Sequence, residues 1–243
     1  IELAANAVNP VTGEALNLTK LDIKGLGKAK YILKEGGTLG DLYTTSNLRF
    51  NDNGYVEVDK NGNLLMTDEG EDIYLGSVFP NHNLAWRNDF SYKGINLGVL
   101  FTARLGGVCY SATQANLDLY GVSEASAAAR DAGGVLINGR EMVDAQKWYQ
   151  AIGSQSGLPQ YYLYSATNVR LQELSLGYTF PRKWFRNKLG LTVSFVGRNL
   201  WMIYCKAPFD PEAVASTGLN YQGIDYFMMP SVRNLGFNVK FQF

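Results

Sequence analysis

Apolar and polar residues alternate strictly along several segments of this chain, most clearly over residues 234–243. Successive side chains of a β-strand point to opposite faces, so this alternation predicts a strand with one apolar and one polar face. One face carries Leu235, Phe237, Val239, Phe241 and Phe243, and the other carries Asn234, Gly236, Asn238, Lys240 and Gln242.

Five further segments show the same pattern. They cover residues 84–93, 95–105, 174–180, 189–203 and, more weakly, 41–50. Upstream of 174–180 the phase slips, because Val169 and Leu171 form the apolar pair there. This slip predicts a β-bulge near Gln172–Glu173.

The length of these segments separates two kinds of β-protein. A tilted strand needs about 9–11 residues to cross a bilayer, whereas strands of soluble proteins average about 5–6. Most of the segments reach the longer value, which favours an all-β fold in the form of an antiparallel transmembrane β-barrel. A soluble antiparallel sandwich also alternates, with its apolar face packed inward, and it stays open as an alternative.

The connections between the predicted strands alternate between short and long. Short connections lie at Lys93–Gly94 and 181–188, and long ones at about 51–83, 106–160 and 204–231. Membrane barrels have short turns at one face of the membrane and longer loops at the outer face. We therefore expect the three long connections to be outer loops.

The long connections carry local signals of their own. Residues 123–132 and 140–152 predict short helices, and Asn61-Gly62 predicts a type I′ hairpin. Three aspartates lie in Asn/Gly-rich turns, where turn chemistry is favoured over a calcium site because no complete calcium-loop pattern is present. These are Asp52, Asp59 and Asp68.

Composition excludes several functions. Basic and acidic residues balance at 22 each, so no nucleic-acid partner is predicted. His82 is the single histidine and has no identifiable nucleophile beside it, so no catalytic residue and no enzyme are predicted. Cys109 and Cys205 lack metal or redox spacing and are expected to be free thiols; no metal site or cofactor is predicted. Asp210 and Glu212 are expected to be solvated.

Several motifs, in order along the chain, resemble the SusC/RagA family of TonB-linked outer-membrane transporters. Residues 75–107 are similar to a strand pair of this family that has a G-x-x-x-P entry, an F-S-Y-K-G turn and an R-x-G-G exit. Residues 167–184 are similar to a family motif that ends in L-G-Y-x-x-P. Three later segments are similar to the strands and loop that close the barrel in this family. They are 197–201 (GRNLW), the acidic-proline element 209–212 (FDPE) and residues 230–243.

This resemblance implies a bacterial outer-membrane barrel of about 22 strands. Residues 1–243 are expected to supply about the last six strands as part of one domain, with residues 1–40 leading into them. The plug domain is expected to lie outside this chain. Other outer-membrane barrels (a passive porin or a barrel enzyme) and a soluble β-rich binding module remain as alternatives.

The resemblance also implies partners. The whole protein is expected to import large nutrients, either oligosaccharides or peptides. The expected partners are the rest of the same barrel with its plug domain, TonB, a SusD-like surface lipoprotein acting as a lid, and outer-membrane lipid.

Aromatic residues supply the candidate site residues. Loop aromatics are candidates for contact with ligand or lid: Trp148, Tyr149, Tyr161, Tyr162, Tyr221 and Tyr226. Aromatics near strand ends are candidates for the membrane interface: Trp86, Tyr92, Trp184 and Trp201. Phe241 and Phe243 are the candidate signal for barrel assembly that the resemblance implies.

Overall fold

The computed structural model describes residues 8, 10–14, 19–67, 70–216, 218 and 221–243. Strand is the dominant structure, at 47%. The strands are β1 Lys20–Leu26, β2 Ala29–Lys34, β3 Asp41–Thr44, β4 Asn47–Leu48, β5 Met66–Thr67, β6 Ile73–Ser77, β7 His82–Tyr92, β8 Ile95–Leu105, β9 Val108–Ser111, β10 Val135–Ile137, β11 Glu141–Val143, β12 Leu163–Ser165, β13 Asn168–Phe180, β14 Gly190–Cys205, β15 Ile224–Asp225 and β16 Asn234–Gln242. The α-helices are α1 Ala112–Leu119, α2 Glu124–Asp131 and α3 Ala145–Gly153.

The described residues divide into two compact units. One comprises the described residues within Ile1–Phe79, Val108–Tyr164 and Val214–Met228, and we call it the core unit. The other comprises Pro80–Gly107, Ser165–Ala213 and Met229–Phe243, and we call it the sheet unit. The core unit therefore contains most of the long connections that the sequence predicts.

The sheet unit is built on one antiparallel sheet with the strand order β16-β14-β13-β8-β7. These five strands have lengths of 9, 16, 13, 11 and 11 residues. They correspond to the five strongly alternating segments of the sequence, and the strand predicted over 95–105 has the observed bounds. The prediction of long antiparallel strands is confirmed.

Two local features of this sheet also follow the sequence. Lys93 and Gly94 both have positive φ, of 48° and 89°, which is the backbone of a two-residue type I′ turn between β7 and β8. The register of β13 shifts between Leu171 and Glu173 against both neighbouring strands. The predicted β-bulge is therefore present.

The weak strand predicted over 41–50 is wrong. Residues there form two short strands, β3 and β4, that belong to different sheets of the core unit. All four residues of β3 are buried, so neither of its faces is exposed as a membrane-facing strand requires. Among the described residues, the sheet accordingly has five long strands, not six.

The core unit has an interior of the kind found in water-soluble domains. Its sheets are β1-β2-β3-β6, β4-β5, β10-β11 and β12-β9-β15, the last of which includes a parallel pair between β9 and β15. The core cluster includes Tyr31, Leu42, Leu158 and Ile224, each at most 1% exposed. Burial of such side chains is the main stabilising contribution in a soluble domain.

Each described α-helix of the core unit begins at a capping side chain. Ser111, Ser123 and Asp144 accept hydrogen bonds from backbone N–H groups three residues on, which satisfies an otherwise unpaired donor. The helix predicted over 123–132 is confirmed as α2. The one predicted over 140–152 begins later, at Ala145, because Glu141–Val143 pairs as β11. Among the described residues, no helix is both long and apolar enough to cross a lipid bilayer.

The hairpin at Asn61-Gly62 exists, but its turn type differs from the prediction. Gly62 has a positive φ of 75°, whereas Asn61 does not. The Gly62 N–H donates to the Asp59 carbonyl oxygen at 3.0 Å, and Asp59 N–H donates to the Asn63 carbonyl oxygen at 2.8 Å. These bonds define a three-residue loop with glycine in the left-handed position, and type I′ is wrong.

Candidate functional site

One face of the five-stranded sheet is apolar and exposed. Directly paired residues of neighbouring strands lie on the same face, so the register identifies its rows. One row contains Phe90, Leu97, Leu176, Phe195 and Phe237, and the next contains Tyr92, Ile95, Tyr178, Val193 and Val239. Phe195 is 53% exposed and Phe237 is 82% exposed. This is a continuous apolar surface with no protein packed on it in the described residues.

The predicted interface aromatics all belong to this exposed surface. Tyr92 ends β7 beside the turn, and Trp184 lies in the connection between β13 and β14 with its ring 5.8 Å from that of Phe180. Trp86 and Trp201 share a row through Phe101 and Leu171, and Trp86 stacks on Phe101 at 5.6 Å. Tyr92 lies six positions after Trp86 along β7, which corresponds to about 20 Å along the strand.

The opposite face of the sheet is polar and hydrogen-bonded across the strands. Asn96 Nδ2 donates to Thr179 Oγ1 at 2.9 Å, and the hydroxyls of Thr179 and Thr192 lie 3.1 Å apart. Ser91 donates to Asn96 Oδ1 at 2.8 Å. Small and polar side chains here leave room for water or for another polar surface.

A row of charges crosses the same polar face. Arg198 Nε lies 3.0 Å from Glu173 Oε2, and Arg87 Nη1 lies 3.6 Å from Glu173 Oε1. Arg87 also pairs with Asp89 at 2.9 Å. The ion pairs therefore join β7, β13 and β14 on the face opposite the apolar one. The two faces of the sheet differ as sharply as the alternation in the sequence predicts.

An ion pair is buried at the end of the sheet opposite the short turns. Arg170 Nη2 lies 2.9 Å from Asp210 Oδ1 and 3.3 Å from Glu212 Oε2. The Arg170 and Asp210 side chains are only 5% and 8% exposed, whereas Glu212 is 40% exposed. The expectation that both carboxylates are solvated is therefore wrong for Asp210. Burial opposes ionisation of Asp210, but bonds from Arg170 and Ser231 hold its pKa below the usual value.

This cluster connects three parts of the sheet unit. Arg170 lies on β13, Asp210 follows β14, and the Ser231 N–H, before β16, donates to Asp210 Oδ2 at 3.2 Å. Arg170 Nε also donates to Asn168 Oδ1 at 3.2 Å. Sequence reasoning missed the pairing. Its only signal was an arginine on the polar face of β13 together with the separate acidic-proline element.

The predicted loop aromatics occupy different environments within the core unit. Tyr161, Tyr221 and Tyr226 are exposed. Trp148 and Tyr149 pack against the core cluster, and the Trp148 ring meets the Tyr161 ring edge-on at 5.9 Å. Tyr162 is 2% exposed and belongs to the core itself. Burial raises the pKa of the Tyr162 hydroxyl, in keeping with its position in the apolar interior.

The remaining candidate groups have ordinary structural surroundings. Cys109 is buried, Cys205 is partly exposed, and neither forms a disulfide bond. Asp59 accepts hydrogen bonds from Asn63 and Asn61 within its turn, and these lower the pKa of its carboxyl. Asp68 lies outside the described residues. In the described part of the chain, no group of three or more His, Cys, Asp or Glu side chains is arranged to hold a metal ion.

A sheet of long antiparallel strands with one exposed apolar face and one polar face is the pattern expected of the wall of a membrane barrel. Comparison with known proteins agrees. The chain is 26% identical over 198 residues to the TonB-dependent receptor P3 of Formosa agariphila, covering 77% of this chain and 19% of the receptor. The structure of the RagAB peptide transporter matches 95% of this chain and 25% of the transporter chain, with a TM-score of 0.54 and 19% identity. No protein-family profile matches the chain.

The resemblance to SusC/RagA TonB-linked transporters is confirmed by these two matches. The sequence likeness is to a TonB-dependent receptor, and the likeness to RagAB is one of fold. The chain spans about a fifth of the curated receptor and a quarter of the RagAB chain.

Proposed function

We propose that this chain forms part of the wall and outer loops of a bacterial outer-membrane importer of large nutrients that is driven by TonB. The observation that carries the proposal is the exposed apolar face of β7, β8, β13, β14 and β16. The apolar face meets lipid and the polar face lines the lumen. The sequence likeness to a TonB-dependent receptor favours an active importer over a passive porin.

The edges of the sheet support the assignment of further strands to the same barrel. In the described residues, β7 and β16 each pair with a strand on one side only. An unpaired strand edge is not tolerated in hydrocarbon, because its backbone groups have no water to bind. The remaining strands, to a total of about 22, are assigned to the rest of the protein by the family resemblance.

The direction of the strands indicates which end of the sheet is the outer end and which is the periplasmic end. One row of paired residues lies at the end of the sheet opposite the short turns, and it consists of Asn83, Arg104, Asn168 and Cys205. The long connections all leave the sheet at this end, which is therefore the outer end. The Lys93–Gly94 turn and residues 181–189 lie at the periplasmic end. In this orientation Tyr92 and Trp184 belong to the periplasmic interface, and Trp86 and Trp201 lie farther out.

The partners follow from the same resemblance. A SusD-like surface lipoprotein covers the outer end, and TonB acts on the plug domain of the complete protein. The substrate is an oligosaccharide or a peptide. Among the loop aromatics, Tyr161, Tyr221 and Tyr226 are the candidates for contact with lid or substrate because they are exposed. No enzymatic step is assigned to this chain.

The test is to isolate the native protein from outer membranes in mild detergent and to identify every co-purifying chain by mass spectrometry. Recovery with a plug-bearing portion and a surface lipoprotein is the expected result. Recovery as an outer-membrane barrel without a plug would replace the importer with a porin. A soluble, monomeric chain would overturn the membrane assignment altogether.

The contact residues have a separate test in the same preparation. The double variant Tyr161→Ala/Tyr226→Ala is expected to retain less lipoprotein than the wild type. Tyr120→Ala is the matched control, because Tyr120 is an exposed tyrosine of the same unit and is not one of the candidate contact residues. Equal retention by all three proteins would remove the loop aromatics from the lid interface.

A further inference from the structure

The connection between β13 and β14 carries a concentrated positive charge. Residues 181–189 contain no acidic residue and four basic ones: Arg182, Lys183, Arg186 and Lys188. All four are exposed. Among the described residues none of the four takes part in an ion pair. The charge is therefore available to a partner outside this chain.

This connection has a defined conformation. A short 3-10 helix spans Arg182–Phe185, and Arg186 and Asn187 follow with positive φ of 53° and 60°. The Asn187 N–H donates to the Arg182 carbonyl oxygen and the Lys188 N–H to the Phe185 carbonyl oxygen, both at 3.0 Å. The basic side chains thus project from an ordered backbone, which reduces the entropy lost on binding.

Aromatic rings hold the basic connection against the apolar face of the sheet. The Phe180 ring lies 5.8 Å from Trp184 and 6.5 Å from Phe185, and it meets Tyr178 edge-on at 5.0 Å. The neighbouring turn adds Lys93, whose Nζ lies 5.2 Å from the centre of the Tyr92 ring. Positive charge and apolar surface are therefore adjacent at this end of the sheet.

An apolar depression begins where the basic connection meets the sheet. Its volume is about 460 Å³. The lining residues are Ile95, Leu176, Gly177, Tyr178, Phe180, Val193 and Phe195. Phe180 belongs to both features, since it lines the depression and contacts the two aromatic rings of the connection. A single elongated molecule can therefore occupy the depression and reach the basic side chains.

We propose that this depression and the basic connection together form a binding site for an anionic phospholipid. One acyl chain lies in the depression, and the phosphate headgroup is bound by Lys183, Arg186 and Lys188. Arg182 is left out because its Nε lies beside Gly190 and Gln242 on the polar face. The inference rests on the proposed function, because it requires the apolar face to lie in a membrane. Clustered basic residues beside a membrane-embedded surface attract anionic headgroups, and the charge complementarity selects such a lipid over a zwitterionic one.

Native mass spectrometry of the full-length protein tests the site. The protein is purified from outer membranes, stripped of lipid in detergent, and titrated with phosphatidylglycerol and phosphatidylcholine of the same chain length. The wild type is expected to bind phosphatidylglycerol preferentially. The variant Lys183→Gln/Lys188→Gln is expected to bind it roughly tenfold more weakly. Lys24→Gln/Lys60→Gln removes the same charge from the core unit and is expected to leave binding unchanged.

A second variant tests the apolar half of the site. Val193→Trp fills the depression without changing the charge. It is expected to weaken binding of a long-chain phosphatidylglycerol while leaving that of a dihexanoyl form close to the wild-type value. Equal effects on both chain lengths would contradict acyl-chain binding there.

The outcomes separate this proposal from the proposed function. A protein that is recovered from outer membranes as a folded barrel, yet shows no preference for phosphatidylglycerol, overturns the lipid site alone. A protein that is absent from outer membranes overturns both. Displacement of the lipid by inorganic phosphate would indicate a simple anion site and would overturn the lipid assignment. The preference of the wild type is measured without any substitution, so poor folding of a variant leaves the test intact.

Discussion

Leu42 and Ile224 of the core unit are completely buried, whereas Phe195 and Phe237 of the sheet unit are 53% and 82% exposed. The contrast extends over both units. Among the described residues, the buried apolar side chains of the sheet unit are those of Ala166 and Pro211, and the other buried apolar side chains all lie in the core unit. Of the two units, the core unit thus has the apolar interior, whereas the sheet unit exposes its long apolar rows.

This difference in exposure indicates that the two units have different surroundings. Apolar surface exposed to water is unfavourable by roughly 25 cal/mol per Å², so large exposed patches mark an interaction surface. The core unit removes such surface by folding on itself, as a domain in water does. The sheet unit instead presents it in continuous rows and places its hydrogen bonds and charges on the other face. Its apolar residues therefore stabilise the protein only when lipid or detergent covers them.

The largest expected effect concerns the buried ion pair of the sheet unit. Asp210→Ala leaves the guanidinium of Arg170 buried beside the more distant and more exposed Glu212. Loss of one partner of a buried pair typically costs about 3–5 kcal/mol. We expect a loss of this size in the free energy of unfolding, measured by urea titration of the full-length protein in lipid vesicles.

Glu212→Ala is the matched control for this prediction. Glu212 contacts the same Nη2 atom but is 40% exposed, so its removal is expected to cost less than about 1 kcal/mol. Equal losses in the two variants would contradict the assignment of Asp210 as the principal partner. Because the folded-state pKa of Asp210 is lowered, its contribution is present above the ordinary carboxyl pKa and is lost as the pH falls through the folded-state pKa.

The second prediction concerns the apolar interior of the core unit. Leu42 is fully buried, so Leu42→Ala leaves a cavity and is expected to lower the stability of this unit by about 2–5 kcal/mol. Hydrogen exchange of core-unit amides measures this loss. Leu39→Ala is the control, because Leu39 is exposed and its truncation is expected to have little effect. Similar losses at both positions would mean that burial does not decide stability here.

The third prediction tests the lipid-facing surface directly. Phe195→Arg introduces a charge into the exposed apolar row and is expected to cost about 2–4 kcal/mol if the position lies near the bilayer centre. Ser194→Arg is the matched control, since Ser194 neighbours Phe195 in sequence and lies on the polar face beside Gly177. The measurement is the fraction of protein folded in vesicles over a urea titration. If neither arginine lowered the stability measured by the urea titration, the apolar face that contains Phe195 would be in water.

Strand positions in the sheet unit could be predicted because alternation reports the two faces of a strand in any solvent. The bounds of β8 and the slip near Gln172–Glu173 follow from residues that are neighbours in sequence. The same property explains the error at 41–50. Leu42 and Leu48 are apolar whether a strand faces lipid or packs into a core, and only the tertiary structure distinguishes the two.

The parts that sequence reasoning missed depend on residues far apart in the chain. Arg170 and Asp210 are 40 residues apart, and no local pattern indicates that the structure brings them together. Tyr162 and Tyr161 are adjacent aromatics, yet one is buried in the core and the other is exposed. The folding of the long connections into a unit with its own core likewise follows from contacts among distant segments.

The fourth prediction has the smallest expected effect and concerns the ion pairs of Asp72 in the core unit. Asp72 lies 2.9 Å from both Lys20 Nζ and Lys34 Nζ. Burial opposes ionisation of Asp72, but the hydrogen bonds from Lys34 and Lys20 outweigh it, and the pKa of Asp72 lies below its ordinary value of 3.8. A group with a lowered folded-state pKa stabilises the protein above its unfolded pKa, and this contribution disappears as the pH falls through the folded value.

Asp72→Asn is therefore expected to flatten the loss of core-unit stability as the pH falls below the ordinary carboxyl pKa. The difference from the wild type at neutral pH is expected to stay below about 1 kcal/mol, because Lys20 is largely exposed and water screens its pairing. Amide hydrogen exchange of β1 and β2, corrected for the intrinsic effect of pH, measures the change. Glu35→Gln, at an exposed carboxylate of the same unit, is expected to keep the wild-type acid profile. Identical profiles for Asp72→Asn and the wild type would show that this ion pair does not contribute to the acid response, leaving the apolar core to account for the stability of the unit.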